Sequence, residues 1–210
     1  MVFRRARNEE AAQILALYRS VTGSEFCTWN EFYPGEEEIA ADLSAGNLYV
    51  LEDRPGTEND LEAVWGSESS KDQLEEGGSP SQGGSIVGAA SVVPENELDD
   101  LEFWTDPGEA AGEGKVFEIA RIVISPRFQG KGLGKRLVTS LEEVLRERGC
   151  SAVRLLAAVK NIPACRTYLH CGFRILGECD RYGDHYYACE KLMDSQNSGR
   201  SNCCGQLQIM

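Results

Sequence analysis

The chain has 210 residues, of which 41% are hydrophobic, and its formal net charge is −13. This length predicts one domain with a full core and some peripheral additions. The acidic balance argues against a nucleic-acid partner, because binding to phosphates requires a basic surface. Neither an apolar run of about 18 residues nor the apolar stretch of a signal peptide is found, so we expect no membrane span and a cytoplasmic location.

Hydrophobic periodicity predicts the element order β-α-α-β-β-β-α-β-α-β-β. In residues 9–21, for example, Ile14, Leu17, Tyr18 and Val21 fall on one helical face. The predicted bounds in chain order are a strand at 2–5, helices at 9–21 and 36–44, strands at 47–52, 85–93 and 115–125, a helix at 133–148, a strand at 152–159, a helix at 161–171, and strands at 173–180 and 185–192.

Two acidic stretches carry the negative charge. Residues 53–85 hold eight acids and two bases, and residues 95–113 hold eight acids and no base. The first stretch is rich in glycine and serine, which predicts an acidic insertion in a hairpin loop between two strands. The second is predicted to be an acidic loop, and residues 194–210 a polar, disordered tail.

A glycine-spaced turn, QGKGLG at residues 129–134, separates a predicted strand from a predicted helix. Strand, glycine turn and helix in that order can bind a phosphate, since the free N–H groups of the first helical turn face the anion. A nucleoside-triphosphate loop would need a hydroxyl residue after Gly-Lys, but Arg136 follows Lys135. A dinucleotide loop would need G-x-G-x-x-G, whereas these glycines are spaced G-x-G-x-G.

A second motif follows at residues 161–173, which read N-x-x-A-x-x-x-Y-x-x-x-G-F. Asn161 is suited to cap a helix, Pro163 to its first turn and Gly172 to a left-handed end. The motif therefore predicts a short helix that carries Tyr168.

With the turn fitting Q/R-x-x-G-x-G/A and the second motif behind it, the chain resembles the GNAT superfamily of N-acyltransferases. The resemblance covers residues 2–193. It implies a single α/β domain with a mixed central sheet of about seven strands flanked by about four helices, and no metal site.

The resemblance also implies a site for acetyl-coenzyme A as co-substrate. The end of the strand predicted at 115–125 would offer backbone groups to the pantetheine arm. The turn would hold the pyrophosphate, with Lys131, Lys135 or Arg136 near the phosphates. The implied cofactor-binding residues are Ile122, Val123, Ile124, Gln129, Gly130, Lys131, Gly132, Leu133, Gly134, Lys135 and Asn161.

Tyr168 matches the family tyrosine that protonates the leaving sulfur, and its hydroxyl is protonated at neutral pH. Glu118 lies where several members carry the base, acting directly or through water. Strand alternation predicts that Glu118 shares a side with Ala120, Ile122 and Ile124, where desolvation would raise its pKa. A glutamate at the exposed start of the strand, or one paired with Arg121, is the alternative.

The two histidines and eight cysteines give weaker indications. His170 and His185 are each expected to be packing or surface residues, with His185 in a hairpin that faces the acceptor in this family. No C-x-x-C pair occurs, so the cysteines are predicted to be reduced, with Cys203 and Cys204 exposed in the tail.

The leading interpretation is an N-acetyltransferase that moves an acetyl group from acetyl-CoA to a primary amine of a small molecule or peptide. The acidic stretches have two interpretations: they attract a cationic acceptor, or they are only a solvated surface. A non-catalytic acyl-CoA-binding or regulatory module is the alternative function. The oligomeric state is left as monomer or homodimer.

Overall fold

A mixed sheet of seven strands, in the order β1-β2-β3-β4-β5-β7-β6, forms the centre of the molecule. The structure is a computed structural model, and it describes residues 1–54, 84–93, 98, 101–105 and 115–193. Neighbouring strands are antiparallel except for β4 and β5, which run parallel. The strands are β1 (Val2–Arg5), β2 (Leu48–Asp53), β3 (Ser85–Val93), β4 (Lys115–Ile124), β5 (Cys150–Ala158), β6 (Arg174–Arg181) and β7 (Asp184–Leu192).

The described residues contain four α-helices, which confirms the predicted element order and fold class. The helices are α1 (Ala11–Arg19), α2 (Glu36–Ser44), α3 (Leu133–Glu147) and α4 (Ile162–His170). A 3₁₀ turn at Asn8–Glu10 precedes α1, so this helix begins two residues later than its apolar pattern predicts. The first turn at a helix end is commonly 3₁₀ rather than α-helical, so the α-helix itself starts later than the apolar pattern.

Each face of the sheet carries its own core. On one face, Leu137 and Leu141 of α3 and Tyr168 of α4 pack with Phe117 and Ile119 of β4. On the other face, α1 and α2 cover the sheet through residues that include Ile14 and Ile39. We name these the α3/α4 face and the α1/α2 face.

A β-bulge in β4 changes which side chains face which core. Ser91 of β3 pairs with Ala120, but Ala89 pairs with Val123, so β4 holds one extra residue at positions 121 and 122. Ile122 and Ile124 therefore join the α3/α4 core, and Val123 joins the α1/α2 core. The predicted common side for Glu118, Ile122 and Ile124 is wrong, because simple alternation cannot anticipate an inserted residue.

Strands β4 and β5 pair over only the first part of their length. Their ladder joins Lys115–Glu118 to Cys150–Arg154. Beyond Glu118 and Arg154 no ladder contact between the two strands is found among the described residues. The carboxyl-terminal halves of β4 and β5 thus border an opening in the sheet, which we call the split.

A buried carboxylate holds together the ends of β2 and β3. Glu52 is 1% exposed. It accepts hydrogen bonds from Arg4 Nε at 2.6 Å and from the Gly84 amide at 3.0 Å, and it forms an ion pair with Arg54 at 3.1 Å. The bond from Arg54 is the largest influence that lowers the pKa of Glu52, to about 2, and Arg4 adds to it against the opposing effect of burial.

We expect Glu52→Gln to lower the free energy of unfolding at pH 7 by about 2 to 3 kcal/mol, since it removes the buried negative charge to which Arg4, Arg54 and the Gly84 amide are bound. Because the pKa of Glu52 is depressed from its usual 4.5 to about 2, this contribution is present above pH 4.5 and is lost as the pH falls towards 2. Urea titrations at several pH values should therefore show the variant and the wild type converging in acid.

Glu9→Gln is the control for this substitution. Glu9 pairs with Arg7 at 3.7 Å, and both side chains are largely exposed, so its removal should leave stability unchanged. A constant gap between Glu52→Gln and wild type down to pH 2 would contradict the assignment.

Several predicted features lie outside the described residues. They are most of the acidic insertion (53–85), most of the acidic loop (95–113), the tail (194–210) and the Cys203-Cys204 pair. The domain bounds of 2–193 accordingly remain a prediction. All cysteines within the described ranges are free thiols, and no helix in those ranges is long and apolar enough to cross a membrane.

Candidate active site

The glycine turn connects β4 to α3 through two residues in the left-handed region. Gly130 has φ of +74° and Gly132 has φ of +76°, values that side-chain-bearing residues rarely adopt. Gly132 is the N-cap of α3 and supplies no side-chain cap. At the entrance to the turn, Gln129 Nε2 donates to the carbonyl oxygen of Ile124 at 3.0 Å. The glutamine therefore ties the turn to the end of β4.

The first turn of α3 presents free amides to the outside. The Arg136 amide donates to the carbonyl oxygen of the N-cap residue Gly132 at 3.1 Å, which is the first hydrogen bond of the helix. The amides of residues 133–135 therefore have no acceptor within the helix. Lys131 and Lys135 are exposed beside them. By contrast, Arg136 donates from Nη2 to the Met1 carbonyl oxygen at 2.9 Å. The exposed amides, the helix dipole and two lysines form a surface suited to a diphosphate.

The third glycine of the turn lies against helix α4. A methyl group added to Gly134 would lie 3.6 Å from Thr167 Cγ2 of α4. Helices α3 and α4 are in contact here, which brings the turn next to the helix that carries Tyr168. The two sequence motifs are thus neighbours in space.

Helix α4 begins and ends as its motif predicts. Asn161 Oδ1 accepts a hydrogen bond from the Ala164 amide at 3.1 Å, and Pro163 lies in the first turn. The helix is followed by Gly172 at φ +89°. Asn161 therefore acts as a helix cap through the oxygen of its amide.

Tyr168 points from α4 into the α3/α4 core and is 8% exposed. Its ring packs edge-on against Phe173, with 6.2 Å between centroids, and the thiols of Cys165, Cys171 and Cys189 lie around it. Burial is the main cause that raises the pKa of its hydroxyl above 10. The group is thus protonated at neutral pH and can donate to an anion.

Glu118 is half-buried at the point where the β4–β5 ladder ends. It lies opposite Val93 on one side and Arg154 on the other. Arg154 donates from Nε to Glu190 at 3.0 Å and stacks over Trp104 at 4.9 Å. Glu118 is therefore a carboxylate beside the start of the split, on the opposite face of the sheet from Ile122 and Ile124.

Arg121 pairs with α2 and supplies a contact that the sequence did not predict. Its guanidinium donates to Asp42 Oδ1 at 2.7 Å and to Asp42 Oδ2 at 3.0 Å, and Ser91 donates to the same carboxylate. Its third contact is the Tyr33 hydroxyl, 3.4 Å from Nη1. The clustering of Phe26, Trp29, Phe32 and Tyr33 in an otherwise polar stretch was the available indication of a function there.

The two histidines lie on the surface. His170 Nδ1 is 2.7 Å from the Arg166 carbonyl oxygen, within α4. His185 contacts Glu178 through Nε2 at 2.8 Å and Asp180 through Nδ1 at 2.7 Å. The bond to Glu178, followed by that to Asp180, raises the pKa of His185. Across the described ranges, no group of three or more potential metal ligands occurs.

Similarity to proteins of known structure extends over nearly the whole chain. A GCN5-related N-acetyltransferase from Kribbella flavida superimposes with a TM-score of 0.61 at 14% identity, covering 91% of this chain and 97% of that one. A Salmonella typhimurium protein solved with its cofactor acetyl-CoA superimposes with a TM-score of 0.59 at 16% identity, covering 97% of this chain and 99% of that one. At these identities the similarity shows the fold.

Sequence similarity is confined to a shorter region. Glucosamine 6-phosphate N-acetyltransferase of Trypanosoma brucei brucei is 35% identical over 91 residues, which are 43% of this chain and 52% of that protein. Spermine/spermidine N(1)-acetyltransferase of Bacillus subtilis is 39% identical over 72 residues, 34% of this chain and 47% of that protein. The chain thus spans about half the length of these curated relatives.

The family model for the acetyltransferase (GNAT) family matches residues 48–173, from the start of β2 to the end of the second motif. This range contains the glycine turn, the split and Tyr168, and it makes up more than half of the chain. The protein belongs to the acetyltransferase (GNAT) family.

Proposed function

We propose that the protein is an N-acetyltransferase that moves an acetyl group from acetyl-CoA to a primary amine of a small molecule or peptide. The observation that supports this proposal is the open glycine turn at the start of α3, which is in contact with the helix that carries Tyr168, while Glu118 lies on the opposite face of the sheet where the β4–β5 ladder ends. We infer that Tyr168 faces the split. A thioester lying in the split would have a proton donor on one side and a carboxylate on the other.

The residues around the turn fit the diphosphate of coenzyme A. Amides at the start of α3 lack helical acceptors, and a methyl group at Gly130 or Gly132 would meet nothing within 4 Å. The turn is therefore open to a ligand. Backbone groups of Ile122, Val123 and Ile124 border the split and would hold the pantetheine arm. The acetyl thioester supplies the electrophilic carbonyl carbon.

In the proposed reaction, Glu118 takes a proton from the ammonium form of the acceptor, directly or through water, and leaves a neutral amine. The amine nitrogen attacks the carbonyl carbon, and the C–S bond breaks. Tyr168 gives its proton to the departing sulfur. The acylated nitrogen loses its second proton to solvent, from which Tyr168 is reprotonated, and the proton taken by Glu118 is released, so the products are the neutral amide, the thiol of coenzyme A and one proton. Transfer is direct, so no covalent enzyme intermediate forms.

For the acceptor we favour a cationic amine. Three cations on the strands that border the split, or directly after them, have acidic partners within the described residues: Arg121 pairs with Asp42, Arg154 with Glu190 at 3.0 Å and Lys160 with Asp184 at 2.8 Å. The negative phosphate group of a phosphorylated amine would have no unpaired cation among these three to bind, whereas the positive charges of a polyamine need none. Of the two relatives, the spermine/spermidine acetyltransferase agrees with this choice and the glucosamine 6-phosphate acetyltransferase does not, so the choice depends on charge alone.

The direct test follows thiol release from acetyl-CoA with a panel of amines, including spermidine and glucosamine 6-phosphate, and identifies the acetylated product by mass. We expect turnover with primary amines and lower activity towards spermidine as salt rises. Binding of acetyl-CoA without turnover of any amine would support the alternative, a non-catalytic acyl-CoA-binding module.

We expect Glu118→Gln to lower kcat/KM for the amine by about 100-fold, because an amide cannot accept the ammonium proton. The acidic limb of the pH–rate profile, which a carboxylate base produces, should disappear in this variant. Steady-state rates across a pH series measure both effects. Glu143→Gln, on the exposed side of α3, is the control, and a wild-type profile in Glu118→Gln would remove this residue from the mechanism.

A further inference from the structure

One short stretch of chain spans both sides of the split on the α1/α2 face. We call residues 27–33 the bridging segment. At one end, the Tyr33 hydroxyl lies 3.4 Å from Arg121 Nη1, on the β4 side of the split. At the other end, Thr28 lies near the Tyr186 hydroxyl: burial raises the pKa of Tyr186, and the neighbouring Thr28 side chain partly offsets this. Tyr186 pairs with Ala158 at the end of β5, so this contact lies on the opposite side of the split.

The bridging segment is also anchored in its middle. Trp29 packs edge-on against Tyr18 of α1, with 5.3 Å between ring centroids. Asn30 Oδ1 accepts the amides of Phe32 and Tyr33 at 2.8 and 3.0 Å. The segment therefore has a built conformation in which the Tyr33 ring, 39% exposed, remains open to a ligand.

Arg121 lies at the bulge of β4 with a backbone conformation that favours glycine. Its φ is +52°, which for a residue with a side chain costs about 1 kcal/mol or more. The side chain compensates through contacts that glycine could not make: two hydrogen bonds to Asp42, one to Ser91 and one to Tyr33. Strain of this kind concentrates at functional sites, where the surrounding structure holds it in place.

We propose that Arg121 is a positioning residue that holds Tyr33 against the acceptor side of the split, so that the pair sets affinity for the amine. This inference rests on the proposed function, because it assigns the α1/α2 face of the split to the acceptor. Asp42 fixes the guanidinium, and Arg121 in turn fixes the ring of Tyr33 as a wall of the acceptor site. The α3/α4 face, where coenzyme A would bind, makes none of these contacts among the described residues.

Tyr33→Phe tests the proposal because it removes only the hydroxyl group. The KM for the amine should rise about fivefold to tenfold, as for a lost hydrogen bond to a charged group, while kcat and the KM for acetyl-CoA stay within twofold. Arg121→Lys, which keeps a charge beside Asp42 but loses the forked guanidinium, should raise the KM for the amine in the same way. A fall in kcat with an unchanged KM for the amine would overturn the proposal.

Tyr49→Phe is the matched control. The Tyr49 hydroxyl lies 3.3 Å from Arg5 Nε, a contact of nearly the same length and type, but it is at the β1–β2 edge of the sheet. All three kinetic constants should be unchanged in this variant. A rise in the KM for the amine equal to that of Tyr33→Phe would show a general loss of packing and would also overturn the proposal.

Hydrogen–deuterium exchange of the protein without substrates separates this proposal from the proposed function. Amides of the bridging segment should exchange faster in Tyr33→Phe and Arg121→Lys than in the wild type and Tyr49→Phe. If wild-type protein acetylates no amine, the proposed function fails and exchange alone decides the positioning. Faster exchange then supports the Arg121–Tyr33 contact, and unchanged exchange overturns it.

Discussion

Replacing Tyr168 with phenylalanine is expected to lower kcat by about 100-fold, the usual contribution of a general acid. The ring remains in the α3/α4 core beside Phe173, so the fold should be preserved. Only the proton for the departing thiolate is lost. Rates of thiol release at saturating substrates measure the effect, and calorimetry should show that acetyl-CoA still binds with its wild-type affinity.

The control for Tyr168→Phe is again Tyr49→Phe, which removes a hydroxyl from the same core cluster at a distance from the proposed chemistry. Its kcat should equal that of the wild type. Because burial raises the pKa of Tyr168 above 10, this residue should produce no titration between pH 6 and about 9. An unchanged kcat in Tyr168→Phe would assign protonation of the sulfur to solvent.

Gly132→Ala is expected to weaken acetyl-CoA binding by at least about tenfold, since the added methyl would project into the open space beside the amides proposed to hold the diphosphate. The protein itself has room for the methyl group, because nothing lies within 4 Å of it. The cost to folding is limited to the left-handed φ of +76°, about 1 to 2 kcal/mol. Calorimetric titration with acetyl-CoA and a thermal melt together separate the two effects.

Gly149→Ala provides a control at the other end of the same helix. Gly149 has φ of +75° and also has nothing within 4 Å of an added methyl group. Both variants should therefore lose the same stability, while only Gly132→Ala loses affinity for acetyl-CoA. Equal affinities in the two variants would show that the turn does not hold the diphosphate.

The sequence was sufficient to predict the order of strands and helices and the two motifs because each depends on local chemistry, whereas the mixed sheet was implied by the resemblance to the family. The bounds of α2 and β3 agree with their apolar patterns to the residue. Likewise, the cap of α4 follows from the residue types at Asn161 and Gly172. Periodicity and capping are properties of short stretches, so a single chain reveals them.

The acceptor side of the site could not be predicted in the same way. Whether Glu118 shares a face of the sheet with Ile122 and Ile124 depends on strict alternation of side chains along β4. The extra residue at Arg121 interrupts this alternation, so Ile122 and Ile124 face the opposite side from Glu118. The role proposed for the bridging segment depends on the contact of Tyr33 with Arg121, which is 88 residues away in sequence. Neither a bulge nor a tertiary contact leaves a periodic pattern.

The hairpin of β2 and β3 has a practical consequence. Asp53 pairs directly with Ser85, and the Gly84 amide is bonded to Glu52, so the chain leaves the sheet and re-enters it at one closed point. When the two ends of a segment lie close together, a folded domain can be inserted in place of the segment without distorting the rest of the structure. A folded domain grafted between Arg54 and Gly84 should therefore leave the host sheet intact.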